Sequence, residues 1–177
     1  MSTTSKKRVS QKIEMAIAAN KWKAARKLIR EQLRLDPENH WLLTRLSLTY
    51  YEQKQYRKAL QYVVQALQIA PYCPLAVWDC AGTLDMLNRK RRALQIFQWL
   101  ISWGEKRIAF GECGEGVRFA RSLIADCYYR IARIYEDRRE RGKAIRAYKQ
   151  HFFRRKRGVR SIYPLVEVKR RYAALLV

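Results

Sequence analysis

The sequence contains few of the residues that interrupt regular structure. It has only seven glycines and four prolines in 177 residues, so long helices can form. No apolar run approaches the ~18 residues needed to cross a bilayer. The amino terminus also lacks the apolar core of a signal peptide. We therefore expect a folded, helix-rich protein that does not span a membrane.

Cysteine and histidine, which commonly bind metals or take part in catalysis, are also scarce. The four cysteines and two histidines show no C-x-x-C or H-x-x-x-H spacing of the kind that holds zinc. Cys113 has acidic neighbours, Glu112 and Glu115, which raise the pKa of a thiol and make it less reactive. A Cys113–His151 pair is the remaining alternative. We expect free thiols in a reducing cytoplasm, with no metal, no cofactor and no enzymatic activity.

Acidic residues are few beside basic ones: 15 against 38, for a net charge of +23. This excess predicts an acidic partner, either RNA or another polyanion, or an acidic protein surface. The densest basic run lies beside Phe152, Phe153 and Tyr163, a combination that suits phosphate contacts with base stacking. Its members are Arg154, Arg155, Lys156, Arg157 and Arg160. The alternative is a solvated turn between two helices.

The chain repeats itself with a period of 34 residues. Pro37 recurs as Pro71, and Ala25 recurs as Ala59 and then as Ala93. Within each unit, apolar residues lie three and four apart in two stretches, which predicts two amphipathic helices. A single helical hairpin leaves apolar surface exposed that only the next hairpin covers, so the units must stack.

The second unit carries the most specific pattern. It has Leu46, Ser47, Tyr50, Tyr56, Ala59, Val63, Ala66 and Pro71 at fixed offsets. This pattern resembles the tetratricopeptide repeat, with Ser47 in place of a usual glycine. The resemblance implies an all-α protein, a right-handed superhelix (α-solenoid) of about four helical hairpins, in a small stand-alone chain. The repeats are expected at about 6–39, 40–73, 74–107 and 125–158.

The rest of the chain is interpreted around these repeats. Residues 1–5 are expected to form a flexible tail, and residues 6–177 a single domain. The segment 108–124 is an insertion, because Ala144 follows Ala93 by 51 residues rather than 34. Pro164 suits a first helical turn, so we expect a capping helix over about 164–176.

The insertion contains Gly111, Gly114 and Gly116. Their order is not that of a dinucleotide-binding loop, and they follow a helical pattern rather than a strand. No Gly-Lys-Ser/Thr sequence appears. The apolar periodicity after them predicts one long helix over about 115–136. We interpret the glycines as a hinge in a structural loop.

The resemblance also implies a binding groove, lined by the first helix of each repeat. The family positions fall on Trp41, Thr44, Leu48, Tyr51, Trp78, Asp85, Met86, Tyr129 and Arg133. The Lys and Asn residues of the family's carboxylate clamp are absent. We therefore expect a non-enzymatic scaffold or adaptor that binds a peptide or an acidic protein surface. The alternative is an RNA-binding helical-repeat protein.

Overall fold

The computed structural model describes residues 3–155 and 158–177, and every regular element in that part of the chain is an α-helix. Ten helices are described. They are α1 (Thr3–Ala18), α2 (Trp22–Leu35), α3 (His40–Glu52), α4 (Tyr56–Ile69), α5 (Pro74–Met86), α6 (Lys90–Ser102), α7 (Gly104–Phe110), α8 (Val117–Asp137), α9 (Arg141–Arg155) and α10 (Leu165–Ala174).

Eight of these helices pair as four antiparallel hairpins: α1 with α2, α3 with α4, α5 with α6, and α8 with α9. The helix α10 closes the chain by packing on α9. Its Tyr172 ring lies 5.4 Å from Phe152 and 6.4 Å from Tyr148, and its Val168 is fully buried. The predicted all-α fold of four tetratricopeptide-like hairpins and a closing helix is confirmed. None of the helices in the described ranges is both long and apolar enough to cross a membrane.

The chain divides into two compact units. The first ends at Pro71 and contains α1 to α4. The second, Tyr72–Val177, contains α5 to α10. The single domain over 6–177 stays a prediction. The helix α1 begins at Thr3, within the segment 1–5 that the sequence predicts as a flexible tail.

Each hairpin turns at a residue with left-handed backbone conformation. These residues are Asn20, Lys54, Asn88 and Arg139, with φ between 55° and 60°. They are spaced by 34, 34 and 51 residues, which is the spacing of the repeats. At each turn the next amide also bonds back to the first helix, as Lys21 N–H does to the Ala16 carbonyl. A residue in this conformation ends an α-helix and lets the following amides bond to its last carbonyls. The same backbone conformation therefore recurs at all four turns, although the residue type differs.

The core of the first unit lies between α1, α2 and α3. Ile13, Ile29 and Leu46 are among its fully buried members, at 0–1% exposure. Ala59, also fully buried, lets α4 approach α3 closely. The hydroxyl of Ser47 donates a 2.8 Å hydrogen bond to the Ala59 carbonyl. Ser47 stands where the family usually has glycine, so this bond satisfies a polar side chain at a tight helix contact.

The second unit is packed around larger side chains. Phe97 and Leu100 of α6 and Tyr148 of α9 are fully buried, as are the small residues Ala132 and Ala144 of the α8–α9 hairpin. The small residues allow α8 and α9 to approach closely, and the large ones fill the space on either side. This rigid α8–α9 hairpin positions the side chains of the candidate site.

The predicted insertion, 108–124, forms the last three residues of α7, a turn over 111–116 and the first two turns of α8. The long helix expected over about 115–136 is α8, Val117–Asp137. The Gly116 amide bonds to the Ala109 carbonyl at 3.0 Å, which folds the turn back onto α7. A Cβ added at Gly114 would lie 2.4 Å from the Ala109 carbonyl oxygen, so only glycine fits there. The glycines therefore serve a tight turn.

Candidate functional site

A groove of about 410 Å³ lies in the second unit, between α5, α8 and the loop before α10. Four residues that the sequence predicts for a binding groove line it together: Asp85, Met86, Tyr129 and Arg133. Five further residues complete its lining: Asn88, Lys90, Arg130, Asp137 and Tyr163. The four predicted residues lie on α5 and α8.

The floor of the groove is a chain of ion pairs. Asp85 is 7% exposed and accepts from Arg130 at 2.8 Å and from Lys90 at 2.7 Å. The ammonium of Lys90 also contacts Asp137 at 2.6 Å. Burial by itself would lower the pKa of Lys90, but its bonds to Asp137 and Asp85 outweigh burial and raise this pKa. Lys90 is therefore charged at neutral pH, and both carboxylates are neutralised within the protein.

Arg133 is held by a second group of contacts. Its Nε lies 3.0 Å from Glu136, which also accepts a 2.6 Å hydrogen bond from the Tyr148 hydroxyl. Burial and the hydrogen bond to Glu136 raise the pKa of Tyr148, so this phenol stays protonated and donates. The position of Arg133 in the groove wall is thus fixed by the α8–α9 hairpin itself.

The aromatic contribution to the groove differs from the expectation. Tyr129 is only 4% exposed because the ring of Tyr163 stacks on it, with centroids 3.8 Å apart. The half-buried Tyr163 is therefore the aromatic side chain that a ligand meets first. Tyr163 lies outside the repeats, so family positions could not reveal it. In the sequence, Tyr163 stands out only as an aromatic residue near the basic run and as a candidate for base stacking.

Met86 and Trp78, both predicted for the groove, have different environments. Met86 is 45% exposed and lies in the groove wall. Trp78 instead packs edge-on against Phe97 of α6, with ring centroids 5.3 Å apart. An indole that fills the space between the two helices of its own hairpin stabilises the fold, and the groove lining described above does not include it.

The loop that carries Tyr163 is tied to α8 by one buried carboxylate. Asp126 accepts hydrogen bonds from the Ser161 hydroxyl and from the Ile162 amide, the latter at 3.3 Å. Burial raises the pKa of Asp126 to about 6, although these two bonds and the charge of Arg155 oppose the shift. The sequence gives no sign of this role, because residues 35 positions apart meet only in the folded chain.

The four groove residues predicted for the first unit have different environments and different degrees of exposure. Trp41 borders a cavity of about 510 Å³ with Val9 and Leu35. Thr44 is 2% exposed, and its hydroxyl bonds to the His40 carbonyl. The rings of Tyr51 and Tyr56 pack edge to face at 5.4 Å, and Leu48 is half-buried. Trp41 is thus the member of this set that faces a cavity.

The structure describes three members of the predicted polyanion-binding run: Arg154, Arg155 and Arg160. The guanidinium of Arg154 lies over the Tyr128 ring at 5.0 Å. Arg155 donates to the Tyr163 carbonyl at 3.0 Å. Both side chains are half-buried, whereas Arg160 is exposed. Lys156 and Arg157, which also belong to this prediction, lie outside the described residues.

The pKa values of Cys80, Cys113 and His151 are all shifted towards the uncharged forms. Burial raises the pKa of Cys80 to about 11, and burial with a hydrogen bond to Cys73 raises that of Cys113 to about 12. His151 is fully buried, and its Nδ1 donates to the Ala125 carbonyl at 2.7 Å. Burial lowers the pKa of His151, so the ring is neutral. These shifts oppose the thiolate–imidazolium pair that would activate Cys113.

A basic rim adjoins the groove. Arg89, Arg91 and Arg92 at the start of α6 surround a shallow depression that shares Asn88 and Lys90 with the groove. All three arginines are exposed. Because the carboxylates of the groove floor are already paired, the free positive charge of this region lies on the rim.

Comparison with known proteins agrees with this architecture. The sequence profile of the tetratricopeptide repeat matches residues 42–73 and 125–150, which are α3–α4 and most of α8–α9. No curated protein sequence matches the chain.

Several solved structures share the fold. A crystal structure of the MamA protein is 18% identical, with 85% of this chain and 73% of that chain covered and a TM-score of 0.64. MamA from residue 41 onward, from Desulfovibrio magneticus RS-1, is 14% identical, with 84% and 74% covered and a TM-score of 0.65. A third, described as MamA MSR-1 C2, is 18% identical, with 81% and 72% covered and a TM-score of 0.60.

Repeated helical hairpins with small residues at their contacts define the helical-repeat class of fold. The matched repeats make the assignment specific. Within this class of fold, the hairpins α3–α4 and α8–α9 carry the tetratricopeptide-repeat pattern, and the fold of the chain is that of the solved structures above.

Proposed function

We propose that this scaffold binds a peptide segment of a partner protein in the groove of the second unit, and that it prefers acidic partners. The observation that carries the proposal is the joint placement of Met86, Tyr163 and Arg133 around one groove with a basic rim. Methionine, tyrosine and arginine are residue types enriched at protein interfaces.

The groove offers two kinds of contact. Met86 and Tyr163 supply apolar surface, and the flexible thioether of methionine adapts to different side chains. The ion pairs of Asp85 and Asp137 neutralise the floor, so a ligand does not meet free negative charge there. An apolar side chain of the partner would lie against Met86 and Tyr163.

The preference for acidic partners comes from the rim. Arg89, Arg91 and Arg92 are exposed beside the groove, and the whole chain carries a net charge of +23. Rim charges act mainly on the association rate and on the choice of partner rather than on affinity. Apolar burial would therefore hold the peptide, and carboxylates next to the apolar residue would select it. The four cysteines, all within the described residues, form no disulfide, which suits the reducing cytoplasm as the place of action.

The experiment is selection of binding peptides from a random displayed library, followed by titration of the selected peptides against variants. Met86→Glu places a charge in the groove wall at an exposed position, so the fold is retained. We expect this variant to bind the selected peptides at least about tenfold more weakly, the equivalent of about 1.4 kcal/mol.

The matched control is Met15→Glu, because Met15 is 71% exposed and lies on α1, in the other unit. It should bind like the wild type. Selected peptides should carry an apolar residue flanked by acidic ones. Equal binding of the wild type and Met86→Glu would show that the groove is not the peptide site.

A further inference from the structure

A second cleft, in the first unit, is almost entirely basic. It has a volume of about 570 Å³ and lies between α2 and α4. Six cationic side chains line it: Lys23, Arg26, Lys27, Arg30, Arg34 and Lys58. One acidic residue, Glu31, lies at its wall. No repeat position or basic run in the sequence marks this cleft as a site, because its cations are spread over 36 residues.

Four of the cations form a straight row on α2. Lys23, Lys27, Arg30 and Arg34 follow one another at steps of four, three and four residues, which places them on one face of the helix. At a rise of about 1.5 Å per residue, the row is about 16 Å long. All four are exposed. A row of this kind presents regularly spaced positive charge to a long ligand.

Two arginines of the cleft are held in place by neutral groups. Arg26 donates to the Gln53 side chain at 2.6 Å and to the Thr49 carbonyl at 3.3 Å. Arg30 donates to the Tyr50 hydroxyl at 2.6 Å. Such partners fix the orientation of a guanidinium without cancelling its charge. The donors left over can therefore bind an anion with little further loss of side-chain entropy.

The cations of the cleft form no ion pair with a carboxylate in the part of the chain whose side chains are described. Across residues 8–155 and 158–177, whose side chains the structure describes, no carboxylate forms an ion pair with any of the six cations. Several acidic residues elsewhere in the chain are paired, as Glu14 is with Arg45. The cleft thus concentrates unpaired cations, which is the electrostatic signature of a polyanion site.

We propose that this cleft binds the phosphodiester backbone of a nucleic acid, without reading its bases. Tyr50 is the aromatic residue among the described lining, and it is only 6% exposed. Its ring is already covered by the Arg26 guanidinium at 4.8 Å and the Lys58 ammonium at 5.6 Å. Bases therefore have no exposed ring to stack on in the cleft, and only phosphates are recognised.

An acidic protein fits the cleft less well. A peptide needs apolar anchors that become buried, and this lining offers cations with a buried ring. Exposed charge pairs alone contribute about 0–1 kcal/mol each. A nucleic acid differs because its dense row of phosphates carries condensed counterions, and each phosphate that is neutralised releases them. The six cations, four in the row and two beside it, therefore bind a phosphate backbone much more tightly than they bind the scattered carboxylates of an acidic protein.

The test is fluorescence anisotropy with a labelled single-stranded oligouridylate of about 20 nucleotides, titrated at 50 and 200 mM NaCl. If six phosphates are contacted, the slope of log K against log salt is about −4, and affinity falls about 300-fold between the two salt concentrations. The triple variant Lys23→Gln, Lys27→Gln, Arg34→Gln removes three contacts. Its slope should be about −2, with a fall of about 20-fold.

The matched control is Arg146→Gln, Lys149→Gln, Lys169→Gln. It removes the same numbers of lysines and arginines from exposed positions of the second unit, so the net charge of the two variants is equal. Its slope should stay near −4. Both variants change exposed side chains, and circular dichroism melting verifies that each is folded.

The proposal is overturned if both triple variants lose the same affinity, because binding would then reflect diffuse charge. Wild-type-like binding by the α2 variant would overturn it as well. Poly-glutamate of the same length serves as the competing ligand. If it binds as tightly as the oligouridylate and is weakened by the same α2 substitutions, the cleft is a site for acidic protein instead. An oligothymidylate should bind like the RNA, since only the phosphodiester backbone is contacted.

Discussion

Asp126 holds the loop before α10 against α8, and this contact carries an electrostatic cost. Burial raises its pKa from the usual 3.8 to about 6. A carboxyl whose pKa is raised by folding binds its proton more tightly in the folded chain than in the unfolded one. The stability of the fold therefore decreases as pH rises through about 6.

This gives a prediction for Asp126→Asn. With pKa values of 3.8 unfolded and about 6 folded, the wild type loses about 1 kcal/mol of stability from this group between pH 5 and pH 7. The variant has no such group, so its stability relative to the wild type should rise by that amount over the same interval. Urea denaturation at the two pH values measures the difference.

His151 titrates with the opposite sign in the same range, because burial lowers its pKa. It is present in both proteins, so its contribution cancels in the comparison. A stability difference between the two proteins that stays constant from pH 5 to pH 7 would show that Asp126 is not buried as described.

Some residues of the groove could be predicted from the sequence and others could not. Asp85, Met86 and Arg133 could be predicted because each lies at a fixed position in a repeat. Tyr163 could not, since it lies in the connection between α9 and α10 and reaches Tyr129 through the tie of its loop to Asp126. Contacts between residues far apart in sequence leave no periodic signal.

At the scale of helices and turns, the left-handed residue between the paired helices is the most regular feature of the backbone. Two of the four turns use asparagine, which tolerates this conformation. The others use Lys54 and Arg139, with φ of 58° and 57°. For residues with long side chains this conformation costs about 1–2 kcal/mol relative to the right-handed one.

We therefore expect Lys54→Gly to stabilise the protein by about 0.5–1 kcal/mol, because glycine adopts this conformation without strain but loses more entropy on folding. Lys54→Val should destabilise it, since a β-branched side chain is least tolerated there. Urea denaturation of each variant gives the free energy of unfolding.

Asn20→Gly is the control at the equivalent turn of the preceding hairpin. Its effect should be smaller than that of Lys54→Gly, because asparagine is already tolerated. If Lys54→Gly destabilised the protein, the side chain of Lys54 rather than its backbone would determine the stability of this turn.

The helices themselves are well predicted because their amphipathic pattern is local. Repeated alanines and the 34-residue period place α3, α4, α5 and α6 to within a few residues. The insertion is predicted less completely. The long α8 follows from its apolar stripe, whereas the seven-residue α7, Gly104–Phe110, is too short to show a period.

At the scale of the whole molecule, the net charge of +23 on 177 residues dominates the electrostatics. Mutual repulsion of like charges favours the more extended unfolded chain. Many of the ion pairs are at partly exposed positions, as that between Arg121 and Glu105 is, and such pairs contribute little each.

Added salt should therefore stabilise the protein. Screening shortens the Debye length from about 30 Å at 0.01 M to about 8 Å at 0.15 M, which weakens long-range repulsion more than contacts at 3 Å. We expect the Tm to rise by a few degrees over this range in scanning calorimetry. The triple variant Arg146→Gln, Lys149→Gln, Lys169→Gln, with less charge to screen, should gain less. A Tm that falls with salt would mean that the ion pairs outweigh the repulsion.

The amino-acid sequence by itself determined the all-α class, the hairpin repeat, the closing helix and the excess of positive charge, because these depend on local periodicity and composition. Only the tertiary structure decided which side chains share a cavity. It buried Tyr129 beneath Tyr163 and drew Arg154 and Arg155 into partly buried contacts. It also lined a cleft of the first unit with cations that are scattered along the sequence. A binding surface depends on the direction of each side chain in space, and that direction is fixed only when the helices pack.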